Sequence, residues 1–123
     1  MKQEELNEVL RLHKLWLENN SDGVRADLRS ADLMDANLRS ADLRRADLRS
    51  ADLSDADLDF SVFPLWCGSF NIKVNERLPI QLIYHICKMK IETDDADLKR
   101  LVNSKTFRKV ANKFHRVSEC GTV

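Results

Sequence analysis

Residues 26–60 read ADLRS-ADLMD-ANLRS-ADLRR-ADLRS-ADLSD-ADLDF, which is seven consecutive units of five residues. Every unit has alanine first and leucine third, and a degenerate eighth unit, SVFPL, follows at residues 61–65. A period of five matches neither the helical turn of about 3.6 residues nor the two-residue alternation of a β-strand. A coil in which each unit forms one short side, and every leucine points to a shared axis, does accommodate this period. The repeat therefore predicts a solenoid.

This A-[D/N]-L-x-x pattern resembles the pentapeptide-repeat family. The resemblance implies a short right-handed quadrilateral β-helix with four units per coil, in which residues twenty positions apart stack. The repeat is long enough for about two coils of this kind. The inward-facing core that the resemblance implies comprises Leu28, Leu33, Leu38, Leu43, Leu48, Leu53, Leu58 and Phe63.

The segments on either side of the repeat predict caps for its open ends. Residues 2–19 carry apolar side chains at helical spacing, and Asn19 to Gly23 end that helix with turn residues. After the repeat, Phe70, Ile72 and Val74 alternate with polar residues, which predicts one strand before a helical region. We therefore expect an α+β chain with an N-terminal capping helix at 1–22, the β-helix at 23–65, and a C-terminal strand plus helical cap at 66–123.

Stretches outside the repeat resemble small phage and prophage pentapeptide-repeat proteins. They are LNEVLRLHKLWLENNSDGVRADL at residues 6–28, LWCGSFNI at 65–72, QLIYHICKM at 81–89 and ANKFHRVSECG at 111–121. The resemblance implies a viral or prophage origin. The acidic start of the chain and its three well-separated cysteines predict a reduced cytoplasmic protein without a membrane partner.

The sequence gives only weak evidence for a catalytic site or a metal site. No catalytic constellation is recognisable, so an enzyme is the least favoured class and no cofactor is expected. A structural zinc site could use Cys67, His115 and Cys120, with His85 or Cys87 as the fourth ligand. No CxxC or HxxxH pair supports such a site, and ordinary buried cysteines and hydrogen-bonded histidines explain the same residues.

Charge is segregated along a chain whose formal net charge is zero. Residues 21–65 carry six positive and ten negative side chains, whereas residues 99–123 carry seven positive and one negative. A basic helix can bind phosphate, although a solvated face that balances the acidic solenoid explains the same charges. The residues that we expect to contact a partner are Arg29, Arg39, Arg44, Arg49, Arg108, Lys109, Lys113 and Arg116.

These observations favour a non-enzymatic protein-interaction module. In a phage context the expected partner is a host protein or complex, such as a CRISPR-associated antiviral defence complex. Two alternatives stay open: a DNA-mimicking modulator of DNA gyrase, and direct nucleic-acid binding by the basic C-terminal helix. Mimicry of duplex DNA needs a long acidic rod, which this repeat with its interspersed arginines does not supply. Whether the protein forms a homodimer is also open.

Overall fold

A computed structural model describes all residues from Met1 to Val123 and divides the chain into two compact units, Met1–Asn75 and Glu76–Val123. The first unit contains helix α1 (Gln3–Leu17), the repeat, and a 3₁₀ turn at Cys67–Ser69. The second contains four helices: α2 (Arg77–Lys88), α3 (Ala96–Val102), α4 (Lys105–Ala111) and α5 (Val117–Cys120).

Helix α1 packs on the first coil of the repeat through its apolar face and through hydrogen bonds. Leu6 and His13 are the fully buried side chains of this helix. Near its start, Gln3 donates to the carbonyl of Asn37 and accepts the backbone N–H of the same residue, both at 2.9 Å. These bonds satisfy backbone groups at the open end of the repeat, which would otherwise lack partners.

Each pentapeptide forms one inward-facing step and one turn. The seven leucines at the third position are at most 5% exposed, and Phe63 is half-buried. The turn closes with a hydrogen bond from the first residue of the next unit to the leucine carbonyl, as from Ala31 to Leu28 at 3.1 Å. The fifth residue of each of the seven units in residues 26–60 has a positive φ, close to +60°, a conformation that type II turns require at their third residue.

Successive coils are joined at the second residue of each unit by parallel bridges. Four bridges join residues twenty positions apart: Asp27 with Asp47, Asp32 with Asp52, Asn37 with Asp57, and Asp42 with Val62. A fifth bridge pairs Asp52 with Lys73, so the register lengthens by one residue beyond the repeat. The additional residue lies between Val62 and Gly68, because the bond from the N–H of Leu43 to the carbonyl of Val62 spans nineteen residues and that from Leu48 to Gly68 spans twenty. The N-terminal unit consequently extends to Asn75, ten residues beyond the last pentapeptide.

The predicted fold class, a right-handed quadrilateral β-helix within an α+β chain, is wrong. The structure has helices but no β-strand and no sheet, and its inter-coil pairs are all isolated bridges. The predicted strand at Phe70, Ile72 and Val74 is also absent, because Asn71 has a φ of +59° and only Lys73 forms a bridge. The physical reason is that the chain turns every five residues, which leaves one bridged residue per unit and no run of ladder pairs.

The C-terminal unit is helical and has a core of its own. Helix α2 packs against α4, and the buried centre of this core comprises Tyr84, Ala111 and Phe114. The rings of Tyr84 and Phe114 stack with centroids 4.5 Å apart. Side-chain caps begin α3 and α4: Asp95 accepts from the N–H of Leu98 in α3, and Ser104 accepts from that of Phe107 in α4. None of the helices is both long and apolar enough to span a bilayer.

Candidate interaction surface

The second residue of each repeat unit stabilises the turn that follows it. The Asp27 carboxylate accepts the backbone N–H of Arg29, two residues further on, at 3.3 Å. This short side-chain bond defines an Asx turn, which favours the chain reversal at each corner. The same bond recurs at Asp32, Asn37, Asp42, Asp47, Asp52 and Asp57. The charge pattern of the repeat did not reveal this role, although an invariable Asp or Asn before a turn does signal it.

Three of the predicted contact arginines are clamped to the aspartate of their own unit. Arg29 donates from Nε and Nη2 to the two carboxylate oxygens of Asp27, both at 2.8 Å. Arg44 binds Asp42, and Arg49 binds Asp47, with the same two-pronged geometry at 2.5 to 2.9 Å. The A-D-L-R sequence produces this arrangement because an arginine two residues after the aspartate lies on the same outer face. Each guanidinium is therefore held in one orientation.

The clamps keep these carboxylates ionised into the acid range. The hydrogen bonds and charge of Arg29 lower the pKa of Asp27 to about 2. The side-chain hydrogen bond from Arg44 lowers the pKa of Asp42, and that from Arg49 lowers the pKa of Asp47. Exposed ion pairs contribute little to the free energy of unfolding. The main consequence of these pairs is therefore that they fix the orientation of the arginine guanidinium groups.

Arg39 differs from the other arginines because Asn37 replaces aspartate in its unit. Its Nη1 atom reaches Asp57 at 3.2 Å and Asp59 at 3.5 Å, and Asp57 belongs to the next coil. Its guanidinium also lies over the ring of Phe60, 5.2 Å from the centroid. Arg39 is thus directed to a different part of the repeat from Arg29 and Arg49.

Two clamped pairs from adjacent coils line a shallow cavity of about 280 Å³, which we name the Arg–Asp concavity. Its lining comprises Arg25, Ala26, Asp27, Arg29, Asp47 and Arg49. The bridge between Asp27 and Asp47 brings the two coils together here, and Arg29 approaches the Asp47 carboxylate at 3.8 Å. The side chains of Arg29 and Arg49 are both more than half exposed, so their outer faces are accessible.

An aromatic and arginine cluster supports one edge of the Arg–Asp concavity. The guanidinium of Arg25 lies 4.9 Å from the ring centroid of Trp66 and 5.8 Å from that of Trp16. Arg25 also donates to the backbone carbonyl of Arg45 at 2.6 Å, and Arg45 itself stacks on Trp16 at 4.9 Å. These contacts restrict Arg25 even though it has no clamped aspartate of its own. No sequence motif pointed to this cluster.

The predicted basic C-terminal helix is divided among short helices. Arg108 and Lys109 lie in α4, Lys113 lies in the turn after it, and Arg116 immediately precedes α5. Arg116 is paired with Glu119 at 2.6 Å. The basic side chains therefore do not form one continuous helical face, although all four belong to the same compact unit.

The cysteine and histidine residues do not assemble into a metal centre. The structure contains no group of three or more histidine, cysteine, aspartate or glutamate side chains that could hold a metal ion. Cys67 and Cys120 are exposed free thiols, and Cys87 is half-buried. In the C-terminal unit, the rings of His85 and His115 lie beside Phe114, with centroids 6.1 and 4.8 Å from it. The proposed ligands Cys67, His115 and Cys120, with His85 or Cys87, are thus not brought together as a set.

Comparison with known protein families supports the identification of the repeat as a pentapeptide repeat. Residues 24–59 match the family model of pentapeptide repeats, in eight copies. No curated protein and no solved structure matches the chain. The likeness to small phage and prophage proteins therefore has no support from a matching homologue. Residues 24–59 are a pentapeptide-repeat segment, and a segment of this kind suggests a protein-interaction module.

Proposed function

We propose that this chain is a non-enzymatic module that binds another protein through the Arg–Asp concavity. The observation that carries the proposal is the parallel placement of two clamped pairs, Arg29 with Asp27 and Arg49 with Asp47, on bridged coils. This placement produces a fixed array of two cations beside two anions, and Arg25 adds a third cation at the edge of the concavity. A partner protein with acidic groups facing the arginines and basic groups facing the aspartates would bind charges that folding has already positioned.

Preorganisation is the physical advantage of this surface. A flexible interface side chain loses about 0.5–1.5 kcal/mol of conformational free energy when a partner immobilises it. Folding has already restricted Arg29 and Arg49, because each is held by its own aspartate and by the turn that the aspartate stabilises. The outer N–H groups of a clamped guanidinium can still bind a carboxylate or a carbonyl of the partner.

The mixed charge of the concavity favours a protein over a nucleic acid. Nucleic-acid backbones are bound by unneutralised cations, whose attraction falls steeply with salt. Here the carboxylates of Asp27 and Asp47 stay ionised beside the arginines, and residues 21–65 carry ten acidic against six basic side chains. Phosphate groups would meet a net repulsive segment, whereas a protein surface with both signs would fit it.

The finer part of the proposal concerns the partner. The resemblance of residues 65–72, 81–89 and 111–121 to small phage proteins supports a host protein or complex, such as an antiviral defence complex, as the target. Arg108, Lys109 and Lys113 in the C-terminal unit would supply a second contact region. This part rests on sequence resemblance and on charge alone.

The test is a comparison of charge-reversed variants. Tagged wild-type protein would be used to capture partners from lysate of the source organism or its host, after nuclease treatment, and the identified partner would be purified. Titration calorimetry would then compare wild type with the double variant Arg29→Glu and Arg49→Glu. We expect the double variant to bind at least about tenfold more weakly, because like charges would face each other.

A matched control separates the concavity from general charge effects. Arg11 is also an exposed arginine paired with an acidic neighbour, Glu8 at 2.7 Å, but it lies on α1. The variant Arg11→Glu should bind as wild type does. Equal binding by all variants would contradict the proposal. Capture of a partner from untreated lysate but not from nuclease-treated lysate would point instead to a nucleic-acid ligand.

A further inference from the structure

The C-terminal unit contains a cavity of its own, with a volume of about 150 Å³. It lies where the end of α2, the segment 89–95 that joins α2 to α3, the C-terminal end of α3, and α4 meet. We name it the helical cavity. Its lining has an apolar part and a positively charged part, and each part restricts the kind of molecule that fits.

The apolar part of the lining sets the size of the occupant. Ile86 of α2, Ile91 of the joining segment and Val102 of α3 are half-buried in the wall, and Met89 is 60% exposed. An apolar cavity of this volume accommodates a molecule about the size of benzene. The occupant is therefore smaller than the drug-sized ligands of ordinary binding pockets.

The charged part of the lining has one sign. Lys99 of α3 and Arg108 of α4 are its charged side chains, and neither is paired with a carboxylate. The acidic residues of the joining segment are exposed and do not line the cavity; they are Glu92, Asp94 and Asp95. An anion that enters the helical cavity would therefore meet two cations that no ion pair neutralises.

Two neutral polar side chains complete the charged part of the lining. Asn103 donates to the backbone carbonyl of Lys99 at 2.9 Å, and its Oδ1 lies 3.5 Å from Nη2 of Arg108. Asn103 thus brings the guanidinium of Arg108 to the C-terminal end of α3. The Thr93 hydroxyl accepts the backbone N–H of Asp95 at 3.0 Å, which leaves its own proton available to donate to a ligand.

We propose that the helical cavity binds a small organic monocarboxylate. Its carboxylate would contact Lys99 and Arg108, because a guanidinium presents paired N–H donors that match two carboxylate oxygens. Its apolar group would contact Ile86, Ile91 and Val102. Phosphate and sulfate have the required charge but no apolar part, so they would leave these three side chains in contact with water. The proposal does not depend on the Arg–Asp concavity, because the whole lining belongs to the C-terminal unit.

Nuclear magnetic resonance titration of the isotope-labelled full chain tests this proposal, with benzoate as the probe. We expect a dissociation constant of about 1 mM or below, which a ligand of about nine non-hydrogen atoms can reach. The largest amide shifts should fall on residues that line the helical cavity. Benzamide has the shape of benzoate without its charge, and phosphate has the charge without an apolar group. Each should bind at least about tenfold more weakly than benzoate.

Two variants test the cations separately. Lys99→Gln and Arg108→Gln should each weaken benzoate binding at least about fivefold, because each removes one charged donor. Lys109→Gln is the matched control, since Lys109 is an exposed lysine beside Arg108 in α4 that does not line the cavity. This variant should bind benzoate as wild type does. Circular dichroism should show the same helix content for wild type and all three variants.

Several outcomes would overturn the proposal. One is an absence of benzoate-induced shifts at the lining residues at about 20 mM, well above the expected dissociation constant. Others are an affinity for benzamide or phosphate equal to that for benzoate, and unchanged benzoate binding by either Lys99→Gln or Arg108→Gln. An equal loss of binding in Lys109→Gln would assign the affinity to general charge and would also overturn the proposal.

Discussion

Asp27 and Asp47 lie side by side in a parallel bridge, although both side chains are acidic. Each carboxylate accepts the backbone N–H two residues further along and two N–H groups of the arginine at that position. The repulsion expected between stacked like charges is thereby offset within each unit. The repeat can stack acidic residues because every stacked acid has local donors.

Asp47 should contribute to stability chiefly through its turn. The side chain of Asp47 is only 10% exposed. The variant Asp47→Ala loses the bond from the N–H of Arg49 and leaves the Arg49 guanidinium without its carboxylate partner. We expect a loss of about 1–2 kcal/mol in the free energy of unfolding. Asp47→Asn keeps an acceptor for the N–H and should lose less. Urea titration followed by tryptophan fluorescence measures both, since Trp16 and Trp66 belong to the N-terminal unit. Equal losses in the two variants would contradict a role in the turn.

His13 should make the stability of the N-terminal unit depend on pH. Its Nε2 lies 2.8 Å from the carbonyl of Arg44, which can only accept, and its Nδ1 accepts the N–H of Ala26 at 3.0 Å. The ring is therefore neutral with its proton on Nε2, and a second proton would break the bond from Ala26. Burial lowers the pKa of His13 below its usual 6.5, despite the opposing effect of the Arg44 carbonyl.

The sign of the pH effect follows from this lowered pKa. Between pH 6.5 and the folded-state pKa, the unfolded chain binds a proton at His13 that the folded chain does not. Stability is thus fully present above pH 6.5 and decreases as the pH falls, with a slope of at most about 1.4 kcal/mol per pH unit. Urea titrations from pH 8 to pH 5 should show this slope for wild type and a smaller one for His13→Gln. Parallel curves for the two proteins would exclude His13 as the cause.

Gly23 should not tolerate a side chain. A Cβ atom at this position would lie 2.1 Å from the backbone nitrogen of Trp16, where α1 ends against the start of the repeat. The backbone of Trp16 cannot shift at a small energetic cost. We therefore expect Gly23→Ala to lower the free energy of unfolding by about 2 kcal/mol or more. Ser21→Ala, at an exposed position in the same loop, should be near neutral. The prediction fails if thermal unfolding gives both variants the same midpoint.

The fifth position of the repeat should reject β-branched residues. Ser50 is exposed and has a φ of +61°. Valine is sterically disfavoured there, so Ser50→Val should destabilise the N-terminal unit by about 1–2 kcal/mol. Ser50→Asn should be neutral or slightly stabilising, because asparagine tolerates this conformation. A valine variant as stable as the asparagine variant in urea would show that the turn relaxes.

Much of the candidate site could be located from sequence, but its chemistry could not. The spacing of the A-D-L-R units indicated that Arg29, Arg44 and Arg49 face outward. It did not reveal that each arginine is clamped by its own aspartate, because that pairing depends on the turn geometry. Nor did it place Arg25 between two tryptophans, since Trp16 and Trp66 are fifty residues apart and meet only when the coils stack. For the zinc set predicted from Cys67, His115 and Cys120, the structure shows no group of three or more potential ligands.

By itself, the sequence determined which residues of the repeat are buried and where the chain turns. Five is a short period, and an apolar residue at one position of each unit can be buried only if the chain coils around it. The tertiary structure decided how the coils pair and which side chains meet, because the five-residue period does not specify either. It showed single bridges in place of strands, because a turn in every unit interrupts the ladder. It also showed His13 bonded to Ala26 and Arg44. Those relationships depend on which coil lies beside which segment, and no local pattern records that.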